Sequence, residues 1–400
     1  MKWNLSKEAK EKFLKCNLLP IHESDEEWEM VLREAEEEEG ENLQGRLTAE
    51  LEEVKKELVQ VLPSRFLQYV ENGQLNQPTL PKSVREDYLQ WMREHEEEFE
   101  QVLDAAYDQT KQAVISLPTS VQEIFAESLH DSTIVRIVRE RDTLHLYLNT
   151  DGGFSTKALI HFIFKKVFSE TSDQPIEVGQ WLVYDELQKI DNGYAFRVLF
   201  ESPEDEWTIT MEDMDAAYYY RPSVFVRLRD EDKLEETTLT EYTEQLNPDH
   251  SYWFITPDVT CAIQSFRAGI TLENGKIEYG AKALVVTVGN ERFTYNIEER
   301  SLIKFIYTDI YEDPYAQLNE PVPTEELEQA ALSDELEWQV RAWNTMYNNP
   351  KELADIINTI LLEIEMTEEN EMILSVYTSH FQKEGILSEA VIEKFKTIME

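Results

Sequence analysis

The stretch LHDSTIVRIVRERDTLHLYLN at residues 129–149 shows where the chain changes from helices to strands. Upstream of it, apolar residues recur at three- and four-residue steps, which is the spacing of amphipathic helices. From Ile134 to Leu148 they follow a period of two, which is the spacing of strands with one buried face. We therefore predict a helical region over residues 1–128 and a β-hairpin directly after it.

Further strands follow this hairpin. They are predicted at residues 158–168, 181–190, 194–200 and 207–211. The sequence Asp191-Asn-Gly193 between two of them predicts a tight turn. Strands that follow one another through short turns favour an antiparallel sheet. A second β-rich stretch is predicted from about Val224 to Ile310, where turn signals near Asn274 and Asn290 indicate a meander or a small barrel.

The two ends of the chain have helical patterns. Ser83-Val-Arg-Glu86 has the pattern of a capping box and precedes one long helix that ends at Pro118. After Asp313-Pro314, helices are predicted at residues 324–347, 350–365, 368–382 and 388–399. The prediction is an α+β fold with an N-terminal helical region, a central, mostly antiparallel β-sheet part and a C-terminal helical bundle. The predicted domains are residues 1–128, 129–220, 221–322 and 323–400.

The charge of the chain restricts its partners. Its 400 residues include 81 acidic and 37 basic side chains, which gives a formal net charge of −44. Binding to nucleic-acid phosphates and to anionic membranes requires a basic surface, so we expect neither. Only Cys16 and Cys261 are present, and no stretch has the length of a membrane span or the pattern of a secretory signal. We expect a cytoplasmic protein with reduced thiols.

Sequence motifs for nucleotide, zinc, calcium or serine-hydrolase sites are absent from the chain. His130 and Asp131, at the predicted helix-to-strand junction, are the best candidates for catalysis or metal binding, and His145 and His161 are possible further ligands. The alternative is that His130 packs as a half-buried ring while Asp131 or Ser132 satisfies backbone groups at the turn. Outward-facing histidines would equally explain the other two.

Adjacent carboxylates and clustered aromatic residues are the remaining candidates. Asp185 and Glu186 lie next to each other on a predicted strand, so their side chains should point to opposite faces. Aromatic residues that could form a recognition surface are Tyr218, Tyr219, Tyr220, Trp181 and Tyr184. Core packing is the alternative for these rings. The acidic surface could imitate a nucleic-acid phosphate array, or it could serve solubility alone.

The segments LPTSVQEIFAESLHDSTI, DTLHLYLNTDGGF, ALIHFIFKKV and GQWLVYDEL resemble an uncharacterised bacterial family, a domain of unknown function. The resemblance covers about residues 1–211 and rests on the LHD turn, the alternating strands and the Trp-x-x-Tyr-Asp-Glu segment. Because the family has no established activity, it implies no catalytic residues. Similar LHD-then-strand patterns occur in small bacterial immunity-type proteins, which favours a binding role.

These observations lead to an expected function. We expect a non-enzymatic, acidic protein-binding factor, of the immunity or inhibitor kind, that acts on a basic protein partner and needs no cofactor. The alternative is a metal-dependent hydrolase that uses the turn at His130 and Asp131. The sequence makes no prediction of the oligomeric state.

Overall fold

The computed structural model describes residues 2–37, 42–267, 269–280, 283–296, 299–367 and 370–399. Contacts divide the chain into two units. The first unit comprises Met1–Arg221, Asp249–Ile297 and Phe305–Ile310, and the second comprises Pro222–Pro248, Glu298–Lys304 and Tyr311–Glu400. The predicted fold class is confirmed, with helices towards both ends and antiparallel sheets between them. The four predicted domains stay a prediction, because a division by contacts does not test which segments fold alone.

The first unit begins with helices. Their bounds are Lys7–Cys16 (α1), Asp25–Glu37 (α2), Leu43–Val61 (α3), Ser64–Glu71 (α4), Lys82–Val114 (α5) and Thr119–Phe125 (α6). The long predicted helix is α5, but the predicted capping box at Ser83 is wrong. The carbonyl of Pro81 accepts hydrogen bonds from the backbone N–H groups of Val84 and Arg85, so the helix begins before Ser83. Both cysteines are free and buried, and burial raises the pKa of the Cys16 thiol to about 11.

Six strands in the continuously described range 42–267 form a closed antiparallel barrel. They are Ser132–Glu140 (β1), Thr143–Asn149 (β2), Leu159–Thr171 (β3), Trp181–Ile190 (β4), Gly193–Glu201 (β5) and Asp205–Tyr219 (β6). The order around the barrel is β1-β2-β3-β6-β5-β4. The predicted tight turn joins β4 to β5. Gly193 has a φ of 143°, and a Cβ atom there would lie 2.1 Å from the Met211 carbonyl oxygen, so glycine is needed.

Aromatic side chains fill the barrel. Phe164, Phe196 and Trp207 are fully buried and pack on one another, with ring centroids 6.0 to 6.2 Å apart. Phe125 at the end of α6 lies 5.7 Å from both Phe162 and Phe196, so α6 closes one end of the barrel. The outward residues of β2 and β3 alternate with this core, as the sequence pattern predicts.

The segment after the barrel differs from its prediction at the start. Residues predicted to begin the second β-rich stretch form two helices, Ser223–Asp230 (α7) and Leu239–Glu244 (α8), which belong to the second unit. The strands that follow are Tyr252–Ile255 (β7), Thr260–Ser265 (β8), Thr271–Leu272 (β9), Gly275–Gly280 (β10), Ala283–Val288 (β11), Glu291–Tyr295 (β12) and Ile306–Thr308 (β13). They form a β10-β11-β12 meander and a β13-β7-β8-β9 sheet, so the closed barrel lies in the first β-rich stretch instead.

The C-terminal helices form the core of the second unit. They are Leu327–Ala331 (α9), Leu336–Asn348 (α10), Ala354–Glu363 (α11), Glu371–Lys383 (α12) and Glu389–Phe395 (α13). Their buried faces meet around Trp343, Ile360, Phe381 and Phe395. The predicted start of one helix at residue 368 lies outside the described residues. Across the described part of the chain, no helix is both long enough and apolar enough to span a bilayer.

Candidate functional site

The barrel has a seam where β1 and β4 separate. β1 pairs with β4 only at Ser132 and Thr133, whereas β5 pairs with β4 along its whole length. Helix α5 packs against the rest of β4, and the Thr110 hydroxyl accepts a hydrogen bond of 2.8 Å from the Leu187 backbone N–H. A side chain of the helix thereby satisfies a strand edge that no neighbouring strand covers.

A cavity of about 320 Å³ opens at this seam. We call it the seam cavity. Its walls are Leu103, Ala106, Tyr107 and Thr110 of α5, residues 125–128 and His130 of the α6–β1 segment, Val183, Tyr184 and Asp185 of β4, and Leu5. The volume is in the range of small-molecule sites, and the walls combine apolar and aromatic groups with a few polar ones.

Asp185 is the unusual polar group of the seam cavity. It pairs in register with Val198 and lies two residues before Leu187, and both of these side chains are in the barrel core. Its carboxyl therefore points to the inner face of β4, where the described residues give it no hydrogen bond and no salt bridge. Burial, followed by repulsion from the Glu186 charge, raises the pKa of Asp185 to about 7.

Glu127 lines the same cavity but is fully engaged. Its carboxylate accepts hydrogen bonds from the Ser155 hydroxyl at 2.6 Å, the Thr156 N–H and hydroxyl at 2.8 Å each, and the buried Lys157 ammonium at 2.6 Å. Burial alone would raise the pKa of Glu127, but these bonds outweigh it and hold the pKa at about 2. The pair ties the loop before β3 to the segment after α6.

The turn at His130 and Asp131 adjoins the seam cavity, because His130 is one of the cavity walls. Asp131 has a left-handed φ of 67°, which Asp tolerates better than most residues. Its Oδ1 atom lies 2.9 Å from His130 Nδ1, at an angle outside hydrogen-bond geometry, and accepts a hydrogen bond of 3.0 Å from the Trp181 indole N–H. Ser132 donates to the Leu129 carbonyl, so the turn is also satisfied locally.

Aromatic rings surround this turn. His130 lies 5.6 Å from the ring of Phe154 and 5.7 Å from the ring of Tyr184. Phe154 is 70% exposed and Trp181 is 40% exposed. We call Phe154, Trp181 and Tyr184 the aromatic rim. Two of the five predicted partner-binding residues thus lie beside both predicted catalytic residues, although these four positions are spread over 55 residues of sequence.

The three consecutive tyrosines Tyr218, Tyr219 and Tyr220 are half-buried and contact other parts of the first unit. Tyr218 packs against the barrel core, and its hydroxyl donates to Glu123. Tyr219 lies 5.5 Å from Trp253 and packs with Tyr307 on the outside of the barrel. Tyr220 continues β6 through a backbone bridge to Thr308. Their role in partner binding stays a prediction.

His145 and His161 meet on neighbouring strands outside the barrel core. His145 Nδ1 lies 3.0 Å from His161 Nε2, and Tyr147 stacks on His161 at 3.9 Å. Burial, followed by the nearby His145 and Arg136, lowers the pKa of His161 to about 4. The rings beside His130 are those of Phe154 and Tyr184, so His130 does not join the pair formed by His145 and His161. Within the described ranges, no three His, Cys, Asp or Glu side chains are grouped so that they could hold a metal ion.

Comparison with known proteins gives a family. Residues 6–211, more than half of the chain, match the family described as protein of unknown function (DUF4085). The chain belongs to this family. In the same comparison, no curated protein and no solved structure matches the chain.

The range shared with the DUF4085 family includes both the aromatic rim and every cavity-lining residue except Leu5. Sequence reasoning missed the cavity residues Tyr107 and Thr110, because their place depends on how α5 packs against β4. From the sequence, Asp185 was considered only together with its neighbour Glu186, and not as a single acidic group in a cavity. The available signal was an acidic residue on the core-facing side of the apolar segment Trp181-Leu-Val-Tyr-Asp185.

Proposed function

We propose that this chain is a non-enzymatic binding protein, of the inhibitor or immunity kind, that holds a basic protein partner at the aromatic rim. The observation that carries the proposal is the exposure of Phe154 beside His130 and of Trp181 beside the carboxylate of Asp131. Tryptophan and other aromatic residues dominate the energetic centres of protein interfaces. An exposed aromatic ring can contact an apolar side chain of the partner, and the negative charge beside it can pair with a neighbouring basic side chain of the partner.

The overall charge supports a basic partner. With 81 acidic and 37 basic side chains, the chain attracts a positively charged protein over a distance of about one Debye length, roughly 8 Å at physiological salt. Such attraction mainly raises the association rate, and salt weakens it. The apolar contact at the rim would then hold the complex together and be less sensitive to salt.

The experiment that tests this proposal uses the full chain and a library of Lys- and Arg-rich peptides, with and without aromatic residues. We expect selected peptides to bind more weakly as salt rises and the double variant Phe154→Ala/Trp181→Ala to lose about tenfold in affinity. Phe168→Ala is the matched control, because Phe168 is also an exposed barrel residue, at 53%, outside the rim. Equal affinities of the double variant and the wild type would contradict the proposal.

A second candidate function is a metal-dependent hydrolase. The observation in its favour is the 2.9 Å contact between the carboxylate of Asp131 and the imidazole of His130, which is one of the cavity walls. Metal analysis of the protein after incubation with Zn²⁺ or Mn²⁺ tests it. Stoichiometric metal that is lost in His130→Ala would favour the hydrolase over the binding protein.

A further inference from the structure

The seam cavity contains a carboxyl group, that of Asp185, which no other residue described by the structure neutralises. A half-buried carboxylate such as that of Asp185 normally has a cationic or hydrogen-bonding partner, because the partial loss of hydration is otherwise costly. Among the described residues, Asp185 has none, and the charge that raises its pKa is the negative one of Glu186. The carboxyl oxygens are therefore available to a group from outside the chain.

Most polar groups around Asp185 are already committed; the exception is the ring of His130, whose Nδ1 atom has no hydrogen-bond partner among the described residues. Lys157 donates to Glu127, and Glu127 accepts from that ammonium and from Ser155 and Thr156. The Thr110 oxygen accepts from the Leu187 N–H, which leaves its own O–H free to donate. A ligand that enters the cavity thus finds one carboxyl without a partner.

The walls define the rest of the ligand. Leu103, Ala106 and Val183 provide apolar surface, and Tyr107 and Tyr184 add aromatic rings at which an alkyl stem can pack. Aromatic faces also attract cations. The matching group is an ammonium or guanidinium at the end of an apolar stem, which is the chemistry of lysine and arginine side chains.

We propose that the seam cavity receives a basic side chain of the protein partner, with Asp185 as its counter-ion and Tyr107 and Tyr184 along its stem. This inference rests on the proposed function, in which the rim holds the surface around that side chain. Because the cation must find Asp185 ionised, binding should strengthen as the pH rises from 6 to 8.

The experiment measures binding of small probes to the full chain by calorimetry or NMR. The probes are N-acetyl-lysine-methylamide, N-acetyl-arginine-methylamide and the neutral N-acetyl-norleucine-methylamide. We expect at least one cationic probe to bind about tenfold more tightly than the neutral one, and Asp185→Asn to remove this preference. Asp191→Asn is the matched control, since it changes the net charge equally at an exposed turn position. Tyr107→Ala, at a residue that is 54% exposed, tests the stem contact without disturbing the core.

The outcomes separate this inference from the proposed function. Cationic and neutral probes of equal affinity, or an Asp185→Asn protein that keeps the preference, would overturn the inference even if basic peptides still bind at the rim. A probe preference that depends on Asp185 would support it even if the rim variants bind peptides normally. A free amine such as n-butylammonium that binds more than tenfold tighter than the blocked amino acids would overturn the assignment to a protein side chain.

Discussion

Adjacent carboxylates on the two faces of β4 differ in the number of hydrogen bonds that they accept. On the outer face, Glu186 is fully buried and accepts hydrogen bonds of 2.6 to 3.0 Å from Asn4, Leu5 and Gln188. On the inner face, Asp185 lines a cavity and accepts no hydrogen bond from the described residues. The same strand therefore carries one carboxylate, Glu186, whose hydrogen bonds hold the N-terminal segment, and one, Asp185, to which no described residue donates.

A third carboxylate shows that the cavity itself is not the cause of this difference. Glu127 lines the same seam cavity as Asp185, yet Lys157, Ser155 and Thr156 donate to it. The surroundings can thus supply donors to a carboxylate in this wall. Asp185 differs because none of the residues that the structure describes donates to it, so its carboxyl can accept a hydrogen bond from a ligand in the cavity.

Removal of the outer carboxylate should have the largest effect. In Glu186→Ala, the N–H groups of Asn4 and Leu5 lose their acceptor in a buried place, so we expect the free energy of unfolding to fall by about 3 kcal/mol. Urea unfolding followed by tryptophan fluorescence measures it. Glu186→Gln should lose less, because the amide oxygen can still accept. If Glu186→Ala is as stable as wild type, the N-terminal segment does not depend on this contact.

Removal of the cation beside Glu127 should have an intermediate effect. In Lys157→Met, Glu127 keeps its hydroxyl and backbone donors but loses its counter-ion, and we expect a loss of about 2 kcal/mol at pH 7. The folded-state pKa of Glu127, about 2, lies below its ordinary value of 4.5, so the wild-type contribution is present above pH 4.5 and disappears as the pH falls towards 2. The difference between the two proteins in urea should therefore shrink at pH 3. A difference that is constant with pH would exclude this ion pair as its cause.

The sequence predicted the alternation that separates Asp185 from Glu186, because side-chain direction in a strand depends only on local geometry. The barrel strands and the tight turn before Gly193 were predicted for the same reason. Closure of the sheet was not predicted for this stretch. The register of β3 with β6, which joins Ile160 to Tyr218, is a pairing that local periodicity does not encode.

The sequence could not show which carboxylate would be satisfied. Two of the three residues that donate to Glu186, Asn4 and Leu5, lie more than 180 residues away in the sequence. The walls of the cavity around Asp185 likewise come from α5, which reaches β4 through tertiary packing alone. The turn at His130 and Asp131 was found from sequence because its residues are adjacent, whereas its aromatic neighbour Phe154 was not.

Neutralisation of the inner carboxyl should have the opposite sign. The folded-state pKa of Asp185, about 7, lies above its ordinary value of 3.8, so the folded protein holds a proton that the unfolded chain releases. Stability from this group is present below pH 4 and is lost as the pH rises through 7. Asp185→Asn removes that loss, and we expect it to be more stable than wild type by at least about 1 kcal/mol at pH 8 and nearly equal to it at pH 4. Urea unfolding at both pH values, with Asp191→Asn as the charge control, measures this. A variant that is less stable than wild type at pH 8 would mean that Asp185 has a donor within the chain, and the contrast between the two faces of β4 would then be lost.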